Sequence, residues 1–135
     1  MKTILIVDDD PGVRALLRRV IGDMGYQVVE AGDALSALEL LEQGSVSLAL
    51  CDVRMPGRDG VWLVDQILTR FPGTPVALAT GLLEMDPHVT LRSGVVGYVV
   101  KPFKRADLAE VIRAALEAPS PEPVKEIDLE ALDAI

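Results

Sequence analysis

The chain has 135 residues, half of them hydrophobic and only 4% aromatic, with a net charge of −8. This length suits one domain, and the apolar content excludes a disordered polymer and implies an aliphatic core. The acidity argues against nonspecific nucleic-acid binding by this domain, and no apolar run approaches a membrane span. The single cysteine, Cys51, cannot form an internal disulfide, and the short apolar start is expected not to be a signal peptide, which together suggest a cytoplasmic protein.

Short aliphatic runs alternate with segments of helical period, the pattern of a parallel α/β sheet. Ile4–Val7 is expected to be a strand buried on both faces. Asp10 and Pro11 then supply an N-cap and a first-turn proline, and Val13, Leu16, Leu17, Val20, Ile21 and Met24 lie on one face of a helix ended by Gly25. Gln27–Glu30 has the polar ends of an edge strand, and Asp33 caps a second helix that turns Ala34, Ala37, Leu38 and Leu41 inward and stops near Gly44. Leu48–Cys51 is the third strand, and Asp59 to about Arg70 the third helix, with Val61, Val64, Ile67 and Leu68 inward. Val76–Ala79 is the fourth strand, Asp86-Pro87 starts a short fourth helix closed by Gly94, and Tyr98–Val100 is the fifth strand. Lys104 to about Glu117 forms the fifth helix, with Leu108, Val111, Ile112 and Ala115 inward. Residues 119–135 open with Pro119-Ser120-Pro121-Glu122-Pro123 and carry a net charge of −4, an acidic, proline-rich linker or tail after a domain spanning 1–118.

Ligands of open α/β sheets bind beyond the carboxyl ends of the strands. There the sequence places Asp8, Asp9 and Asp10 after the first strand, Asp52 after the third, Thr80 after the fourth and Lys101 after the fifth, while the second contributes nothing chemical. Several carboxylates at close range raise one another's pKa unless a cation compensates them. A hard ion such as Mg²⁺ suits oxygen ligands, and a carboxylate can act as a nucleophile toward phosphorus. Taken singly, Asp10 is a helix cap, Thr80 a turn residue and Lys101 a strand end; together they suggest a site for phosphoryl chemistry.

Four segments in order resemble the receiver domains of two-component response regulators: Ile4-Leu5-Ile6-Val7-Asp8-Asp9-Asp10, Asp52-Val53-Arg54-Met55-Pro56 with Asp59-Gly60, Thr80-Gly81, and Gly97-Tyr98-Val99-Val100-Lys101-Pro102-Phe103. The resemblance spans residues 3 to about 117. It implies a flavodoxin-like, doubly wound five-stranded parallel sheet of order 2-1-3-4-5 with five helices, and a cis bond before Pro102. It implies that Asp52 accepts the phosphoryl group and that Asp8, Asp9, Asp52 and the backbone carbonyl of Arg54 hold Mg²⁺ or Mn²⁺. Lys101 and Thr80 would contact the phosphoryl group, and Tyr98 would be the switch aromatic. The implied protein is a phosphorylation-regulated signalling domain, with only self-catalysed transfer and autodephosphorylation as activity. Its donor would be a sensor histidine kinase or phosphotransfer protein, and its fourth helix, fifth strand and fifth helix would form the surface for a homodimer or output.

The stretch between Thr80 and Tyr98 is about one residue shorter than in the chemotaxis regulator, and Leu82, Leu83 and Met85 put apolar residues beside the site. Arg54 and Leu82 are expected to govern water access and thereby phosphate lifetime. His88 is expected at the surface, Cys51 as a small core hydrophobe, and Trp62 packed beside the third helix or partly exposed. Two other functions compete. In a haloacid-dehalogenase-type phosphatase, Asp8 would be the nucleophile and Asp10 the general acid, which leaves Asp52 and the Met55-Pro56 loop unexplained. A pseudo-receiver would bind partners without being phosphorylated, although all five site residues are present.

Overall fold

A computed structural model describes residues 1–53, 60–81 and 94–117, with the side chain of Thr80 outside that description. The first strand, β1, runs Thr3–Val7, and its five residues are all buried, as expected of a strand covered on both faces. The Asp10 carboxylate then accepts from the backbone N–H groups of Gly12 and Val13 at 2.8 and 3.4 Å, and Pro11 opens helix α1, Pro11–Asp23. The cap satisfies amides that a first helical turn leaves unpaired. Gly25, at φ +98°, ends that helix, and Gly44, at φ +82°, ends the next, both in the left-handed region where glycine pays no Cβ penalty.

The second strand, β2, runs Gln27–Ala31, and helix α2, Ala34–Glu42, is capped by Asp33, whose Oδ1 accepts from Ser36 N at 2.7 Å. Strand β3 is Leu48–Asp52, helix α3 is Gly60–Arg70 and strand β4 is Val76–Gly81. Strand β5, Val95–Lys101, and helix α4, Arg105–Glu117, complete the described elements. Helix α4 corresponds to the predicted fifth helix; the segment predicted as the fourth lies outside the described residues, as do His88, Leu83, Met85 and the 119–135 tail. No helix among the described residues is long and apolar enough to cross a membrane.

The five strands pair in parallel in the order β2-β1-β3-β4-β5. This is the doubly wound arrangement that the family resemblance implies, with its switch point between β1 and β3. Helices α2 and α3 cover one face through Ala34, Ala37, Leu38, Leu41, Leu63, Val64 and Ile67. Helices α1 and α4 cover the other through Leu17, Ile21, Leu108, Ile112 and Ala115. The central strands alternate between the two layers, Ala49 and Cys51 facing one, Leu48 and Leu50 the other.

Three expectations need correction. Leu16, placed inward by its period, is 54% exposed, because the buried stripe of α1 is narrower than its apolar one. With Leu17, Val20, Phe103, Arg105 and Leu108 it lines a shallow groove between α1 and α4. Strand β5 starts three residues earlier than expected: the register shifts between Val76 and Ala77, and Gly97 pairs with Ala77. Leu63 is fully buried on α3, one residue before the predicted inward Val64. Trp62 is half-buried against the α2–α3 core, as expected.

Candidate phosphoryl-transfer site at the carboxyl rim of the sheet

Parallel pairing aligns the strand ends, so the residues closing β1, β3, β4 and β5 converge on one rim. Val7 is opposite Cys51, Asp52 opposite Ala79, Thr80 opposite Val100, and Gly81 opposite Lys101. Asp52 is the last residue of β3 and Lys101 the last of β5, so both are held by strand pairing rather than by loops.

Three carboxylates meet there. Asp8, Asp9 and Asp52 each place an oxygen within 4.8 Å of the others. Asp8 and Asp52 are buried, at 2% and 3% exposure, whereas Asp9 faces solvent. The Lys101 ammonium donates to Asp8 Oδ2 at 3.2 Å and to Asp52 Oδ2 at 3.1 Å. Partial burial alone lowers the lysine's pKa, but the negative charge of Asp52 and the hydrogen bonds to Asp52 and Asp8 outweigh it and hold it above the ordinary value. Lys101 is therefore a fixed cation at neutral pH. Among the described residues one ammonium faces three carboxylates, and an all-oxygen donor set with an exposed member suits a hard divalent cation.

Every polar group of Asp8 is engaged. Its N–H donates to Ala31 O at 3.2 Å and its carbonyl accepts from Arg14 Nη1 at 2.6 Å. Its Oδ1 accepts from Asp10 N at 2.9 Å, and its Oδ2 faces Lys101. At Gly60, the start of α3, an added Cβ would collide with the Asp52 carbonyl oxygen and lie 2.6 Å from Val53 Cα. A side-chain-free position is what lets α3 begin hard against the end of β3.

Sequence reasoning missed two residues. Arg14 looks like an ordinary solvent-facing helix position, and β2 seemed to add nothing chemical to the rim. In the fold, Glu30 of β2 pairs with Arg14 Nε at 3.5 Å and with Arg18 Nη1 at 2.7 Å, tying the edge strand to the acidic turn. No local signal marks this contact, which joins α1 to β2 and, through Arg14, to the turn after β1.

The predicted residues divide as follows. Asp8, Asp9, Asp52 and Lys101 come together. Tyr98 lies on β5 three positions before Lys101 and is 44% exposed. Thr80 lies in β4 at the expected rim, but its side chain, like Arg54, Met55, Pro56 and Leu82, lies outside the described residues. Asp10 serves as the α1 cap, its Oδ1 accepting from the helix amides, and is not one of the three clustered carboxylates. The Lys101–Pro102 peptide bond is cis. Burial first, then the charge of Asp52, pushes the Cys51 thiol up to about 12, so it is an un-ionised core residue.

Fold and rim together define a doubly wound α/β domain with a carboxylate pocket at its switch point. The chain belongs to the response regulator receiver domain family, whose model matches residues 4–113. It is 36% identical over 119 residues to the response regulator protein PilR of Pseudomonas aeruginosa, a match covering 87% of this chain and 27% of that one. It superposes on the receiver domain of NtrX from Brucella abortus with a TM-score of 0.80, at 34% identity, covering 86% of this chain and 99% of that one. A further similar structure is the response regulator protein TrrA of Thermotoga maritima in complex with Mg²⁺-BeF, with a TM-score of 0.73 at 30% identity, covering 86% of this chain and all of that one. The chain spans about a quarter of the length of curated relatives such as PilR and FleR.

Proposed function

We propose that this receiver domain takes a phosphoryl group from a phosphohistidine onto Asp52 and thereby switches its interaction with a partner or output domain. The observation that carries the reading is the single ammonium of Lys101 reaching two buried carboxylates, Asp8 and Asp52, beside the exposed Asp9. In the transfer, an Asp52 oxygen attacks phosphorus as the bond to the imidazole nitrogen breaks, and the electron pair leaves with the imidazole. Lys101 then turns from neutralising a carboxylate to neutralising the phosphoryl oxygens, and the Thr80 hydroxyl bonds one of them.

Asp8, Asp9, Asp52 and the carbonyl of Arg54 would hold Mg²⁺ or Mn²⁺, with Asp9 the more direct ligand. When bound, that ion supplies positive charge against the transferring group. TrrA, solved in complex with Mg²⁺-BeF, supports Mg²⁺ as the cation by similarity. Tyr98, exposed in the present state, is the switch aromatic that turns inward as Thr80 moves toward the phosphate. The surface so changed comprises the segment before β5, β5 itself and α4, which would meet a homodimer mate or an output domain. The donor would be a sensor histidine kinase or phosphotransfer protein in the cytoplasm. The receiver unit would be residues 1–118, with 119–135 a linker or tail.

The test is intact mass after incubation with Mg²⁺ and acetyl phosphate, beside Asp52→Asn and Asp8→Asn variants. One phosphoryl group on the wild type and none on Asp52→Asn is the expected result. An adduct that persists in Asp52→Asn and vanishes in Asp8→Asn would overturn the acceptor assignment. Absence of any adduct and of beryllofluoride binding, with Mg²⁺ uptake intact, would make the domain a pseudo-receiver.

A further inference from the structure

We infer that Arg14 is a positioning residue for the cation site: its guanidinium fixes the backbone that aims the Asp9 carboxylate. The inference rests on the reading of Asp8, Asp9 and Asp52 as cation ligands. Asp9 differs from the other two in being exposed, so packing does not hold its side chain. Its main chain is held instead. The Asp8 carbonyl belongs to the rigid peptide plane entering Asp9, and the Asp10 N–H belongs to the plane leaving it. Arg14 Nη1 holds the first at 2.6 Å and Asp8 Oδ1 holds the second at 2.9 Å. With both planes pinned, the direction of the Asp9 side chain is set before any cation arrives.

Arg14 is itself held in place. Glu30 flanks its Nε at 3.5 Å, and its side chain is 22% exposed. Gly32 leaves it room, since a Cβ there would come within 3.1 Å of Nη1. The planar guanidinium suits this task, presenting an N–H to the carbonyl while its charge stays within ion-pair range of Glu30. The edge strand thus serves the rim without sending a ligand to it.

The electrostatics make the test decisive. Arg14 is a cation beside a cation site, so deleting its charge alone would tighten Mg²⁺ binding, whereas loss of positioning weakens it. Titration calorimetry with MgCl₂ should show Arg14→Ala weakened about tenfold, the scale of removing an outer partner of a metal ligand. Arg18→Ala, which removes the other Glu30 ion pair without touching Asp8, should keep the wild-type affinity. Gly32→Ala, which presses a Cβ toward Nη1 while every charge is kept, should shift binding in the same direction as Arg14→Ala but by less, and Arg14→Lys decides the matter if Arg14→Ala does not fold. Arg14→Lys, which keeps the charge but loses the planar fork, should recover part of the affinity. Unchanged or tighter Mg²⁺ binding in folded Arg14→Ala, with Asp9→Asn abolishing it, would overturn the positioning role and leave the cation site standing. A wild-type protein that takes up no Mg²⁺ would overturn both.

Discussion

Lys101 and Asp52 are separated by 49 residues, yet the Nζ of one lies 3.1 Å from Oδ2 of the other, bridging the ends of β5 and β3 across β4. Replacing Lys101 by Met leaves the buried Asp8 and Asp52 carboxylates without that cation, a loss of about 2–3 kcal/mol on the scale of broken charged hydrogen bonds. Urea unfolding in metal-free buffer should show it, and excess Mg²⁺ should narrow the gap by binding the folded state. Equal metal-free stabilities would mean that the ammonium does not compensate the pocket.

The same pair dictates an alkaline limb. Lys101 has a higher pKa folded than the ordinary value of 10.5, so its contribution is full below that value and is lost as pH rises through the folded pKa. Stability followed by denaturant titration above about pH 10 should therefore fall more steeply in the wild type than in Lys101→Met. Parallel limbs would assign the alkaline loss to other groups.

Gly60→Ala should be costly although Ala is the better helix former. The new Cβ would meet the Asp52 carbonyl oxygen and the Val53 backbone, neither of which can yield as a side-chain tip does. The expected cost is about 1–3 kcal/mol, with slower phosphorylation by acetyl phosphate as β3 and α3 separate. A variant as stable as the wild type would show that α3 can withdraw freely.

Cys51 should be silent toward thiol reagents in the native state. It is fully buried, and its folded pKa of about 12 keeps the thiolate scarce. Disulfide exchange with an aromatic disulfide should proceed only at the rate of unfolding and become rapid in urea. Fast native labelling would contradict the burial.

The strands were legible because a parallel sheet buried on both faces demands continuous aliphatic runs, and Ile4–Val7 and Leu48–Cys51 provide them. The caps were legible because Asp10 and Asp33 act locally, within three residues of the amides they accept from. Strand order and the rim set, Asp8, Asp9, Asp52 and Lys101, came through family resemblance and the rule for strand ends. What was hidden depends on tertiary neighbours. The start of β5 at Val95 is not marked locally, since Gly97 lacks a side chain to show a strand pattern; it gives α4 close access, as a Cβ there would lie 3.3 Å from Val111 Cγ1. Leu16 satisfies the helical period yet finds no layer above it, and Arg14 acts on a carbonyl that carries no sequence mark.

The sheet keeps its two hydrophobic layers separate: α2 and α3 belong wholly to one, α1 and α4 wholly to the other. Substitutions in the two layers share few partners, so their effects on stability should sum. Such a domain can be tailored piecemeal. Away from Arg14 and the rim, the outer surface of α1 can accept new chemistry for a different partner while the α2–α3 side goes on supporting Asp52.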